Sequence, residues 1–169
     1  MEYNIKKKII PIEVYTDGSS KKLGQKSFGA WAFVIVKDNK VIASNSDSVP
    51  DATNQQMELL AAIEALKIVE TIREKDENVI VYSDSAYLTN CYSQRWFDAW
   101  KANGWQNAKK QPVANQELWI QLIPYFERFG FSFKKVKGHA DNVFNNRCDE
   151  MAQRAADEAK IKWRGKENE

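Results

Sequence analysis

Around residue 50 the hydrophobic period of this chain changes from that of a strand to that of a helix, and the change limits the folds open to it. Ile10, Ile12 and Val14 alternate with Pro11, Glu13 and Tyr15 up to Asp17-Gly18, the two-residue period of a strand. Phe28–Val36 is a second β-rich stretch, Lys37-Asp38-Asn39-Lys40 a turn and Val41–Val49 a third strand. Connections this short make the three antiparallel neighbours. Thr53 or Asn54 then caps a helix whose Leu59, Ile63, Leu66 and Val69 share one face. Asn78–Tyr82 is a fourth strand ending at Ser83-Asp84, and the helix before it lets it return parallel to the first. Residues 85–103 read as one or two short helices, 104–115 as a polar, basic loop, 116–128 as a helix, 131–136 as a fifth strand and 147–161 as a final helix. Residues 162–169 read as a charged, frayed tail. The order predicts an α/β domain, a mixed five-stranded sheet with helices on both faces.

A length of 169 residues points to one domain. The chain is 43% hydrophobic and 28% charged with seven Gly and four Pro, which excludes a disordered or collagen-like chain. Cys91 and Cys148 are too few for a disulfide framework and lack metal-ligand spacing, so they read as buried thiols. The longest apolar run, Ala30–Val36, is far too short to span a membrane, and no signal-peptide pattern follows the basic stretch in MEYNIKKKII. These features predict a soluble, reduced, cytoplasmic protein with no membrane partner. A net charge of +2 permits a nucleic-acid partner without requiring one.

Two strand ends match: Val14-Tyr15-Thr16-Asp17 and Val81-Tyr82-Ser83-Asp84. If their strands are parallel neighbours, ~4.8 Å apart, both Asp side chains reach the carboxyl edge of the sheet, where sites form in open α/β sheets. Two carboxylates so close repel unless a proton or cation lies between them, and oxygen-only donors favour Mg²⁺ or Mn²⁺. The competing reading is that each Asp caps a turn. Glu58, in the first turn of its helix, and Asp149, early in the last one, answer equally to the helix dipole. His139, the only histidine, lies in a loop-like segment where a lone His usually has no function.

Taken together, YTDGSS, TNQQMELLAAIEAL, VYSDSAY and VKGHADNVFNNRCDEMA resemble the four signature blocks of type 1 ribonuclease H, in order and spacing, from about Glu13 to Ala156. The segment WFDAWKANGWQNAKKQPVANQELW is similar to that family's basic protrusion and following helix. The resemblance implies the ribonuclease H-like fold with strand order 3-2-1-4-5, a domain over residues 8–161 and a charged tail at 162–169. It implies a monomeric endoribonuclease that hydrolyses the RNA strand of RNA–DNA hybrids by a two-metal-ion mechanism, leaving 5′-phosphate and 3′-hydroxyl ends. By motif position, Asp17, Glu58, Asp84 and Asp149 are the catalytic acids and ligands of two Mg²⁺ ions, with Mn²⁺ an alternative. His139 matches a loop histidine that assists proton transfer or product release. Gly18, Ser19, Asn54, Gln55 and Met57 match groups that touch the RNA 2′-hydroxyls, the feature that tells RNA from DNA. Thr53 matches a phosphate contact, Asn115 a minor-groove contact, and Trp96 and Trp100, which share a helix face, a channel for the DNA strand.

The chain also departs from the family pattern. Asp51 stands where a phosphate-binding Arg is frequent, Ala86 stands where Gln is common, and the protrusion is less basic than many. These positions bear on phosphate anchoring and leave the acids untouched. Three other readings remain open here. One is a different nuclease or transferase on the same fold. Another is a catalytically silent hybrid-binding module, which would bind hybrid without Mg²⁺-dependent cleavage. The third is an α/β domain with a structural cation site, which Mg²⁺ would stabilise without nucleic acid binding.

Overall fold

The computed structural model describes residues 9–136 and 142–167. The chain runs β1 (Ile12–Leu23), β2 (Lys26–Lys37), β3 (Lys40–Pro50), α1 (Asn54–Ile72), β4 (Val79–Ser83), α2 (Ala86–Gln94), α3 (Trp96–Ala102), α4 (Gln116–Phe126), β5 (Phe131–Lys135) and α5 (Val143–Glu167). The strands form one mixed sheet in the order β3-β2-β1-β4-β5, as expected. β1 pairs antiparallel with β2 and parallel with β4, which pairs parallel with β5.

Every residue from Phe28 to Val36 of β2 is buried, as a strand covered on both faces requires. Trp31, Phe33 and Ile35 join one core with Leu59, Leu88, Phe97 and Trp119 of α1–α4. Ala32, Val34 and Val36 join the other with Tyr15 and with Cys148 and Ala152 of α5. The period-2 alternation of one strand thus supplies both layers. Thr53 and Gln56 start α1 with a reciprocal capping box, Gln56 N donating to Thr53 Oγ1 (3.1 Å) and Thr53 N to Gln56 Oε1 (3.0 Å).

The structure corrects three boundaries. β1 does not stop at Asp17-Gly18 but continues to Leu23, paired with β2 around the turn at Gly24. Only the pairing with β4 ends there, with Thr16 opposite Ser83. α5 starts at Val143 rather than residue 147, because Asn142 Oδ1 accepts from Asn145 N at 2.9 Å and caps the first turn. It also continues past residue 161 to Glu167. There the Trp163 ring lies 6.3 Å from that of Phe28 and 4.2 Å from Lys26 Nζ, and the Lys21–Asp157 ion pair (2.7 Å) ties the same helix to β1. The segment expected to fray is helical as far as Glu167, with Trp163 packed against β2. No helix among the described residues is long and apolar enough to cross a membrane.

Candidate active site

Parallel pairing brings two acids to one edge. Thr16 and Ser83 are the last partners of β1 and β4, and Asp17 and Asp84 follow them directly. The first turns of α1 press on the same place. A Cβ on Gly18 would lie 2.4 Å from both Glu58 N and the Met57 carbonyl carbon, so only glycine lets β1 and α1 approach this closely. That approach delivers Glu58. Asp17, Glu58 and Asp84 each place a carboxylate oxygen within 4.8 Å of the others. Asp17 is 6% exposed, Glu58 half-buried and Asp84 open to solvent.

The electrostatics of this cluster are adverse without a cation. Burial, the Asp84 charge, and hydrogen bonding to and charge from Asp149 push the Asp17 carboxyl up to about 8. Burial and the charges of Asp17 and Asp84 push Glu58 up to about 9. Burial and the Asp149 charge also raise Asp84. The Gly18 amide donates to Asp17 Oδ1 at 2.9 Å, yet Glu58 Oε2 is buried with no hydrogen-bond partner among the described residues. An orphaned, buried carboxylate oxygen among hard oxygen donors fits a hard divalent cation. Asp149 approaches Asp17 from α5 and receives a hydrogen bond from Gln153 Nε2 (3.0 Å). It stands beside the three converging acids rather than within their 4.8 Å group. It is the seventh residue of α5, so the helix-dipole reading no longer accounts for it.

The RNase H family matches residues 10–157, a span that holds all four acids. The chain belongs to the RNase H family. It is 43% identical over 144 residues to the ribonuclease H of Moorella thermoacetica, covering 85% of this chain and 90% of that protein. It is 40% identical over 158 residues to the ribonuclease H of Clostridium botulinum strain Hall, covering 92% of this chain and 99% of that protein. LC11-RNase H1, solved in complex with RNA/DNA hybrid, has the same fold, with a TM-score of 0.65 at 22% identity over 88% of this chain and 98% of that one.

Around this RNase H-family edge the other expected residues take distinct places. Gly18 and Ser19 follow Asp17 on β1, and Ser19 Oγ is buried with no hydrogen-bond partner among the described residues. Asn54 and Gln55 are exposed on the first turn of α1, whereas Thr53 is engaged in the capping box. The Met57 side chain is 2% exposed and packs in the core, so only its backbone faces this edge. Trp96 and Trp100 are half-buried with ring centroids 6.3 Å apart. Trp119 is fully buried, its Nε1 donating to Tyr87 Oη (2.9 Å), and Asn115 Nδ2 donates to the same oxygen (3.2 Å). This chain of rings joins the core to the surface through Trp96 and Trp100. His139 lies outside the described residues.

Sequence reasoning missed Lys135. It pairs with Ser83 across β4 and β5, so it stands at the same carboxyl edge, and its charge opposes the rise of the Asp84 pKa. The parallel register of β5 on β4 carried that signal.

Proposed function

We propose that the chain is an Mg²⁺-dependent endoribonuclease that hydrolyses the RNA strand of RNA–DNA hybrids, leaving 5′-phosphate and 3′-hydroxyl ends. The observation that carries this reading is the convergence of Asp17, Glu58 and Asp84 within 4.8 Å, with Glu58 Oε2 buried and unpartnered among the described residues, in a member of the RNase H family. Relatives named ribonuclease H that align over most of the chain, and a structural neighbour in complex with RNA/DNA hybrid, support the substrate.

Asp17, Glu58, Asp84 and the adjoining Asp149 are the residues that would hold Mg²⁺, and Mn²⁺ has the same taste for hard donors. Two such ions, if held there, would supply a reversed local charge, water activation and stabilisation of the departing oxygen in an in-line displacement. The chain contributes position and protonation state. The Gly18 amide fixes Asp17 Oδ1, and the tight β1–α1 approach fixes Glu58 against it. Asp17 and Glu58 hold protons in the cation-free cluster and would have to release them to act as ligands. Gly18, Ser19, Asn54, Gln55 and the Met57 backbone face the 2′-hydroxyls in this proposal. In the same proposal Thr53 contacts a phosphate, Asn115 faces the minor groove, Trp96 and Trp100 bear on the DNA strand, and His139 assists proton transfer or product release. Both cysteines are buried and free, which fits a reducing compartment such as the cytoplasm.

The test is end-group analysis of one labelled RNA strand offered as hybrid, as double-stranded RNA and alone, with Mg²⁺ or EDTA. Cleavage confined to the hybrid, requiring Mg²⁺ and leaving 5′-phosphates, is the expected outcome. Hybrid binding without cleavage would move the assignment to a silent binding module.

A further inference from the structure

Away from the acidic edge, the C-terminal turns of α5 and the β2–β3 pair enclose a cavity of about 330 Å³, lined by Lys26, Phe28, Ser48, Lys162, Trp163 and Lys166 among others. No acid lines it. Its volume lies at the lower end of the range of small-ligand sites. The Lys26 ammonium stands 4.2 Å from the Trp163 ring centroid, 6.0 Å from that of Phe28 and 3.6 Å from Asp51 Oδ2. Trp163 Nε1 donates to Glu167 Oε1 at 2.9 Å, which fixes the orientation of a half-buried indole. A helix C-terminus attracts cations, which accounts for Arg164 and Lys166 in the last turn. It accounts neither for an aromatic ring at this position nor for a lysine arriving from β2.

Basic side chains interleaved with an aromatic platform are the means by which proteins hold a single nucleic-acid strand, base on ring and phosphate on cation. Two elements connect this cleft to the acids. Ala32 of β2 is the partner of Asp17, and Lys26 lies six residues away along the strand, ~20 Å at a rise of ~3.3 Å per residue. α5 spans a similar distance from Asp149 to Trp163, ~21 Å at 1.5 Å per residue. That separation corresponds to about six base steps at 3.4 Å each.

We propose that this cleft holds an unpaired nucleotide of a strand that extends beyond the hybrid at the acidic edge, its base stacked on Trp163 and its phosphates paired with Lys26, Lys162 and Lys166. The inference rests on the proposed nuclease reading and deepens it, making hybrids with single-stranded tails the preferred substrate. The nucleotide is unpaired because stacking on Trp163 requires a free base face. The Lys26–Asp51 pair is long at 3.6 Å and its Asp51 carboxylate is exposed, hence it is weak and gives way to a phosphate.

The test is binding by fluorescence anisotropy in EDTA, comparing a short blunt hybrid with the same hybrid carrying a single-stranded RNA tail at either end. Each protein is read by its ratio of tailed to blunt affinity. The unmodified protein is expected to gain roughly tenfold from a tail at one end. The double variant Lys162→Gln/Lys166→Gln, altered at exposed positions, loses most of that gain and flattens the salt dependence on the tailed hybrid by about 1.4 logarithmic units per decade of salt. Trp163→Ala loses the gain and Trp163→Phe retains it. No gain from either tail, or a gain untouched in the double lysine variant, overturns the proposal. Saturable binding of uridine monophosphate with no gain from tails also overturns it, by marking a site for free nucleotides. Cleavage of the blunt hybrid by the unmodified protein with Mg²⁺ tests the nuclease reading separately, so failure of one is distinguishable from failure of the other.

Discussion

Replacing Asp17 with Asn is expected to stabilise the cation-free protein while abolishing the proposed activity. The Asp17 carboxyl is pushed up to about 8 by burial, Asp84 and Asp149, against an ordinary value of 3.8. Between those values the native state keeps a proton that the unfolded state has released. The native state therefore binds more protons, and its stability falls as pH rises from about 4 to about 8. At pH 7 the penalty has built up over about three pH units, which at ~1.36 kcal/mol per unit is on the order of 4 kcal/mol. Asn keeps the shape and removes that linkage. It leaves a polar amide in a site shaped for a carboxylate and weakens the 2.9 Å hydrogen bond from the Gly18 amide. Those two losses return about 2 kcal/mol. The net gain is about 2 kcal/mol, or a rise in Tm of about 4–8 °C for a chain of this size. Thermal unfolding by circular dichroism in EDTA measures it. At pH 5 the penalty has built up over only about one unit, so the advantage of Asn shrinks to near zero. Excess Mg²⁺ favours the parent protein instead, since binding to its native state raises stability by mass action. An Asn variant that melts below the parent in EDTA at pH 7 would refute the reasoning.

Gly18→Ala forces a Cβ to within 2.4 Å of α1 backbone atoms. It should destabilise by about 3 kcal/mol in urea unfolding, whereas a loss below about 1 kcal/mol would mean that the β1–α1 approach is looser than described. Mg²⁺ binding at pH 7 should release protons, because Asp17 and Glu58 are pushed up to about 8 and about 9. Titration calorimetry in buffers of different ionisation enthalpy reads the release, and apparent affinity should climb with pH up to about 9. Truncation after Ile161 removes Trp163 from its contacts with Phe28 and Lys26. It should cost about 2 kcal/mol of stability, while an unchanged denaturation midpoint would restore the picture of a frayed tail.

How much of this was legible in the chain varies by residue. The nine buried residues of β2 were readable as a strand because their apolar run is bounded by turn residues. The edge shared by Asp17 and Asp84 was readable because both strands end in the same four-residue pattern and a helix separates them. Ser19, Ser20, Lys21 and Lys22 gave no strand signal, since hydrogen bonds to β2 rather than an apolar face hold them in β1. The first turn of α5 carries two asparagines, poor helix formers, and depends on the Asn142 cap. Its last turns depend on Trp163 meeting Phe28, a contact across more than a hundred residues that no local period encodes. Glu58 alone looked like a dipole partner, and only the glycine contact at position 18 shows why it reaches the cluster. Helical spacing put Trp96 and Trp100 on one face, but their partial exposure, and the full burial of Trp119, follow from tertiary packing.

The central claim is that converging carboxylates turn a member of this family into a hybrid-cutting, cation-dependent nuclease. Its most direct test is cleavage of an RNA–DNA hybrid in Mg²⁺ by the parent protein and by Asp17→Asn, Glu58→Gln and Asp84→Asn, each shown to be folded by circular dichroism and to bind hybrid. Cleavage by the parent alone, with all three variants at background, is the predicted result. Hybrid cleavage that persists at the parental rate in the folded variants would contradict the account.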